Sequence, residues 1–510
     1  MKKYLFGLFA ACTLLSSCNM DLVNPGVEDD ETAIQGAKEL LALRNGLYSS
    51  LRSLTSGDYV TSVELQMDQF NGVTGNGTRG AQIANGSLNS SLGIASTAYG
   101  GCYGTIANIN FMLEKAEALI AAGTMTEEDV KDVNRYIGEA KAIRGYIYFY
   151  MLDHFCQNPA TVNRTQEGLG LSMVTQYYPT GNTALYPGRG TVQQVIDLIN
   201  SDLSDAYSAL STFETENGIE CEPNAYQLNT ATITALQARM ALVLGDYTTA
   251  QTKAQQVIDN TKYHLVDGDD YRSMWSTDEG AELIFVPYVD AAEYATVGSF
   301  NDAWNFYQYM PTFSDYLPSF ATLAQYDTTN DIRFKSFFKA AQLTISGATY
   351  NAYQFMKFPG NDEIKGSASN RYRNKPKPFR LSEQYLILAE AAAMNGQDAV
   401  ANKALNDLRA ARIDGYEEEN YAGNELIEEI RSERTKELIG EGFRMSDLRR
   451  WGVGFSRYAS YPINPDLESQ WVVAGTSVSY QPNDYRYTWP IPASEMDINP
   501  QLKGQQNPGY

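Results

Sequence analysis

Between residues 380 and 451 the chain carries two kinds of helix back to back, and this limits the folds open to it. The first half reads RLSEQYLILAEAAAMNGQDAVANKALNDLRAAR. Leu381, Tyr385, Leu388, Ala389 and Ala392 recur at helical spacing, so one face is apolar. Asn395-Gly396 ends that helix, because glycine accepts the left-handed backbone a helix end needs. Asp398 is placed to cap a second helix with Ala401, Ala404, Leu405, Leu408 and Ala411 on its inner face. Two helices joined by so short a link pack antiparallel, and small residues let them approach closely.

The second half is charged. Glu433, Arg434, Glu437, Glu441, Arg444, Asp447, Arg449 and Arg450 fall within eighteen residues. Glu433, Glu437 and Glu441 lie four apart and share one helical face, where like charges repel unless arginines answer them. Glu437 and Glu441 are the one enzyme-like carboxylate pair, at about the spacing of a retaining glycosidase. The surrounding arginines favour ionised carboxylates, the reverse of what a general acid needs, so the pair reads as a structural ion network.

A second hairpin echoes the first. ATITALQARMALVLGDYTTAQTKAQQVID turns at Gly245-Asp246-Tyr247, with Ala250 and Ala254 inward, and the Gly245-to-Ala250 spacing recurs from Gly396 to Ala401. That echo resembles tetratricopeptide hairpins. Thr126 with Asp129, and Thr191, mark the starts of two further long helices. The first contains IGEAKAIRGYIYFYMLDHF, apolar nearly all round, and ends at His154, which reads as structural, an imidazolium there meeting the helix dipole. The expected fold is therefore mostly α, a superhelical scaffold of helical hairpins with an irregular, loop-rich lobe and a few short strands.

Six stretches follow. Residues 1–17 form a leader: Lys2 and Lys3 precede an apolar run too short to span a bilayer. It ends in Leu-Ser-Ser-Cys, which resembles a lipoprotein lipobox and makes Cys18 the lipidation site. Residues 18–35 read as an acidic tether, 36–260 as an N-terminal helical region, 261–379 as an irregular aromatic-rich ligand lobe, 380–452 as C-terminal helical hairpins, and 453–510 as an irregular tail on the scaffold. Residues 70–95, rich in Gly, Asn, Thr and Ser, are expected to be one long loop without helix or core strand. Leu283-Ile284-Phe285-Val286 reads as a strand.

The formal charge of −22 argues against nucleic acid or an anionic lipid surface as partner. Two histidines leave little for His-based catalysis or metal binding. Asp267-Gly268-Asp269-Asp270 lacks calcium-loop spacing and reads as a solvated turn. Cys102, Cys156 and Cys221 can form at most one disulfide. No catalytic residue, metal site or cofactor motif is assigned. Tyrosine, by contrast, occurs 35 times. The sharpest binding signal is Phe300, Trp304, Phe306, Tyr307 and Tyr309 with amides and acids between them, since rings stack on sugar faces while polar groups bond hydroxyls. Trp304, Tyr307, Tyr309 and Phe300 are the candidate stacking residues, and Asn71 and Arg79 in the polar loop the candidate hydrogen-bonding partners.

Several segments together resemble the SusD/RagB family of outer-membrane nutrient-binding lipoproteins. They are GEAKAIRGYIYFYMLDHF (138–155), ALQARMALVLGDYTTA (235–250), RLSEQYLILAEA (380–391), ERTKELIGEGFRMSDLRRWG (433–452), WPIPASEMDINPQL (489–502) and QNPGY (506–510). The resemblance implies four tetratricopeptide-like hairpins, no catalysis, capture of oligosaccharide (in some members peptide), and a partner that is a SusC-like TonB-dependent outer-membrane barrel. Its motifs are scaffold motifs and name no ligand residue.

Overall fold

The structure, a computed structural model, describes residues 33–73, 81–296, 314–345, 347–364, 373–457 and 477–510. The N-terminal part runs α1 (Ala37–Leu54), α2 (Asp58–Gln66), β1 (Phe70–Gly72), α3 (Ala81–Ala84), α4 (Gly93–Ala122), α5 (Glu127–Phe155), α6 (Val192–Asn217), α7 (Thr230–Leu244) and α8 (Tyr247–Ile258). The middle holds α9 (Gly268–Thr277), β2 (Leu283–Phe285), α10 (Ala291–Thr296), β3 (Tyr316–Pro318), α11 (Phe320–Leu323), α12 (Ile332–Phe337), β4 (Phe338–Ile345), β5 (Ala348–Phe355) and β6 (Phe379–Arg380). Then come α13 (Leu381–Met394), α14 (Asp398–Ala410), α15 (Gly423–Glu437), α16 (Arg444–Trp451), β7 (Phe455–Arg457), β8 (Val478–Tyr480) and α17 (Ala493–Ile498). The molecule is mostly helical with short strands, as the periodicity predicts.

Helix starts follow local chemistry. Thr126 and Asp129 form a reciprocal capping box at α5, and Thr191 and Gln194 another at α6. The Asp246 side chain caps α8 after Gly245, whose φ of 75° ends α7. Asp398 departs from expectation: Gln397 is the cap and Asp398 the first helical residue, where its charge still suits the helix dipole.

Successive helices pack side by side, α4 on α5, α5 on α6, α7 on α8, and α8 on α13, which also meets α14 and α15. Glycines set the closest approach. A Cβ on Gly138 would lie 2.7 Å from the Ala209 Cβ, so α5 and α6 touch nearly backbone to backbone. The two echoing hairpins meet through an alanine-rich cluster that includes Ala238, Ala250, Ala254, Ala389, Ala392 and Ala401. The polar residues buried in α5 are paired: Arg44 with Glu139 at 2.5 Å and Arg144 with Asp202 at 2.7 Å. No described helix is long and apolar enough to cross a membrane.

The strands form four two-stranded antiparallel ladders, β1–β3, β2–β6, β4–β5 and β7–β8. Residues 70–95 are not one loop. They hold β1 and α3, and Phe70, Val73, Ile83, Leu88 and Leu92 are buried, spaced too irregularly for either period to show. Asp267 precedes α9, so Gly268, Asp269 and Asp270 form its first turn, and Asp269 and Asp270 are exposed to solvent as expected. The three described cysteines beyond residue 33 are free. The tail is anchored: Trp489, Tyr487, Ile491 and Leu502 are buried, and Trp489 Nε1 donates to Gln66 Oε1 at 2.9 Å.

Candidate functional site

β1 and β3 are each three residues long, too short to stand alone. They hold because their surroundings supply the missing bonds. Phe70, Asn71 and Gly72 pair with Pro318, Leu317 and Tyr316. The ladder is extended where Val73 N donates to the Asp315 carbonyl at 2.7 Å and Ser319 N donates to the Gln69 carbonyl at 2.7 Å. Because the pair is antiparallel, the exit of β1 lies beside the entry of β3. Val73, the residue before segment 74–80, therefore lies beside Asp315, which closely follows segment 297–313.

Arg457, the last residue of β7, ties a third strand to this root. Its guanidinium donates to the carbonyls of Met67 (2.6 Å), Phe70 (2.7 Å) and Ala84. Those carbonyls belong to the turn before β1, to β1 itself and to α3. In the chain, segment 458–476 follows Arg457 directly. Gln354 of β5 donates to Ser314 Oγ at 2.9 Å, which brings the β4–β5 hairpin alongside. The root is thus a convergence of four chain segments held mainly by backbone bonds.

Trp304, Tyr307, Tyr309, Phe300 and Arg79 lie outside the described residues, as does Cys18. Asn71 stands in β1 and is 2% exposed, and its amide nitrogen has no hydrogen-bond partner among the described residues. It is a strand residue at the loop root, not a loop residue. The sequence reading missed Arg457 and Asp315. The hydrogen bonds from Arg457 to these carbonyls leave no charge pattern along the chain, because backbone groups accept them.

Glu437 and Glu441 lie in a buried seam between the helices and the middle of the chain. Glu437 accepts from Arg333 (3.2 Å), Arg380 (3.0 Å) and Arg412 (3.0 Å), while Glu441 accepts from Arg380 (2.6 Å) and Lys357 (2.6 Å). Arg412 also pairs with Glu282 at 2.7 Å, and Arg333 with Asp331 at 2.8 Å. Arg380 and Lys357 lie over the face of Trp275, at 5.0 and 4.6 Å from its centre. Burial pushes both carboxyls up, but the cations overcome it. Arg412, Arg380 and Arg333 hold Glu437 well below the ordinary range, and Arg380 and Lys357 hold Glu441 below it. Neither group carries a proton to donate near neutral pH, so this pair supplies no general acid. Burial in turn lowers Lys357 to about 8, against the pull of Glu441.

His154 is buried, its Nδ1 bonded to the Tyr150 carbonyl at 2.7 Å and its ring stacked on Tyr150. Burial lowers its pKa, with Asp153 opposing, so the ring sits neutral rather than as the imidazolium expected at this helix end. A cavity of about 80 Å³ opens beside it, between Tyr59, Tyr150, Arg239 and Phe443, with room for a few waters rather than a sugar ring. No cluster of metal-ligating side chains occurs among the described residues.

Residues 290–510 match the SusD family, and residues 38–231 match a SusD-like family described as starch-binding and associating with the outer membrane. A SusD-like protein, P38 of Formosa agariphila, is 23% identical over 77% of this chain and 78% of its own length. The starch-binding protein SusD of Bacteroides thetaiotaomicron is 36% identical over a shorter stretch, 26% of this chain and 21% of its own. Among solved structures, a SusD superfamily protein from B. thetaiotaomicron superimposes with a TM-score of 0.76 at 25% identity, over 93% of this chain and all of the other. A putative sugar-binding protein from Bacteroides vulgatus gives 0.75 at 25% identity, over 94% of this chain and all of the other.

Proposed function

Because the chain belongs to the SusD-like family, we propose that it is a cell-surface lipoprotein of the outer membrane that binds an oligosaccharide and delivers it to a SusC-like TonB-dependent barrel. The observation that carries this reading is that Val73, Asp315 and Arg457, which stand beside segments 74–80, 297–313 and 458–476 in the chain, meet at one strand pair. Segment 297–313 contains Phe300, Trp304, Phe306, Tyr307 and Tyr309, and segment 74–80 contains Asn76, Thr78 and Arg79. Segments rich in stacking faces and in hydrogen-bonding groups thus flank neighbouring strands in the chain, and together they offer the combination that sugar rings need. The ligand lobe is residues 261–379, with Asn71 at its root. Lipid attached at Cys18 anchors the chain facing outward.

The protein is a binder and not an enzyme. The pair Glu437 and Glu441 supports this, because both are ion-paired to arginines and held ionised. Calorimetry of the purified chain against a panel of oligosaccharides tests the reading. Trp304→Ala should weaken binding by about 1–3 kcal/mol and leave the circular dichroism spectrum unchanged. A variant that melts earlier while keeping its affinity would make Trp304 a core anchor. Detergent extraction of the lipidated protein should recover a large β-barrel with it.

A further inference from the structure

Away from that root, the described surface carries a pair of aromatic rings held in water. Tyr226 and Tyr288 are 59% and 58% exposed, and their rings meet edge to face, 6.4 Å between centres and 63° between planes. The backbone under each ring is fixed. Ala225 bridges Phe285, Val286 N donates to the Ala225 carbonyl at 2.8 Å, and Leu228 N donates to the Tyr48 hydroxyl at 2.8 Å. Tyr288 stands between buried Pro287 and Val289, and Arg52 donates to its carbonyl at 2.7 Å. Neighbouring rings left open to water on a fixed frame keep apolar surface that a ligand could cover.

The groups beside the rings narrow the ligand. The Tyr288 hydroxyl donates to Asp290 Oδ2 at 3.3 Å. Asp290 Oδ1 accepts from Glu293 N at 2.8 Å, and Glu293 pairs with Arg52 at 2.6 Å. Asp290 and Glu293 thus set two carboxylates beside the rings, on a chain of formal charge −22. Such a surface accepts hydroxyl protons and repels carboxylate or sulfate groups. Tyr288 is also close along the chain to the start of segment 297–313, with α10 between.

We propose that Tyr226 and Tyr288 form a second stacking platform, separate from the loop root, for a pyranose ring of a neutral glycan. This rests on the glycan-binding reading above. It makes the protein grip a chain of sugars at two places and prefer uncharged chains to acidic ones.

The test is affinity electrophoresis of the full chain through gels containing amylopectin, xyloglucan, polygalacturonate or alginate. The unaltered protein should be retarded by a neutral polysaccharide and not by the two anionic ones. Tyr226→Ala with Tyr288→Ala should weaken that retardation about tenfold. The paired Phe replacements, which keep both faces, should retain it. Retardation unchanged in the Ala pair but lost in Trp304→Ala overturns the platform and leaves the glycan-binding reading intact. Retardation by the anionic gels alone overturns the ligand class. No retardation of the unaltered protein in any gel overturns both readings. An Ala pair that binds glycan normally but no longer recovers its membrane partner makes the rings a protein contact, and the platform is again overturned.

Discussion

Two buried regions of this molecule lie close together and are built on opposite principles. The hairpins α7–α8 and α13–α14 meet through alanine methyls. The seam around Glu437 is made of guanidinium, ammonium and carboxylate groups, with Arg333, Arg380, Arg412, Glu433 and Glu437 all 1% exposed or less. Methyl packing is non-directional and tolerates small shifts, whereas buried charge holds only while every partner is in place. Moreover, the partners of Glu437 come from α12, β6 and the end of α14, so the seam locks the middle of the chain to the hairpins. The hairpins set the shape, and the seam sets what is attached to it.

The largest expected effect is at the seam. Arg380→Ala strands Glu441 and Glu437 with one cation fewer and should cost about 3–5 kcal/mol, read as a lowered urea midpoint. Acid should attack the same place. Glu437 and Glu441 have folded pKa values below their ordinary one, so the stability they contribute is present above the unfolded value and lost as pH falls. Melting temperature should drop steeply below about pH 4.5, and the Arg380→Ala protein should show the shallower slope.

Glu441→Gln should cost about 1–3 kcal/mol, because Lys357 keeps only carbonyl partners in a buried place. At the helix contact, Gly138→Val drives a side chain into Ala209 and should cost about 1–3 kcal/mol. Pairing it with Ala209→Gly should recover part of that loss, a coupling that a double-mutant cycle measures. The smallest effect is Lys403→Ala. Its pair with Asp407 is 2.8 Å long, as short as several in the seam, but the lysine is 75% exposed. Here the loss should stay within about 0.5 kcal/mol. Equal losses at Lys403 and Arg380 would erase the distinction between the two regions.

The hairpins were legible because their signals are local. Thr126 with Asp129, Thr191, Gly245-Asp246 and Asn395-Gly396 each act within a few residues, and the structure places a helix end at every one. The role of Glu437 and Glu441 was legible from the charges around them, although Arg333, Lys357 and Arg412 were not identifiable as their partners. The loop root was not legible. A strand of three residues has no alternation to read, and its partner lies some 240 residues along the chain, so Asn71 looked like part of a loop. His154 shows the other limit: its position near a helix end was visible, but burial, which keeps it neutral, belongs to the tertiary structure.

Asn507 donates to the carbonyl of Phe155 at 2.8 Å and to that of Trp489 at 2.7 Å, and Arg189 donates to Asn507 at 2.9 Å. The Phe155 carbonyl sits at the end of α5, a central helix of the scaffold; Arg189 donates to it at 3.3 Å, and its shorter bond comes from a residue 352 positions downstream. During synthesis, the N-terminal helices emerge long before that amide exists. A chain interrupted before residue 507 leaves that carbonyl with only the longer bond from Arg189 Nη2, at 3.3 Å. Full satisfaction of the end of this buried helix therefore requires the last residues of the chain.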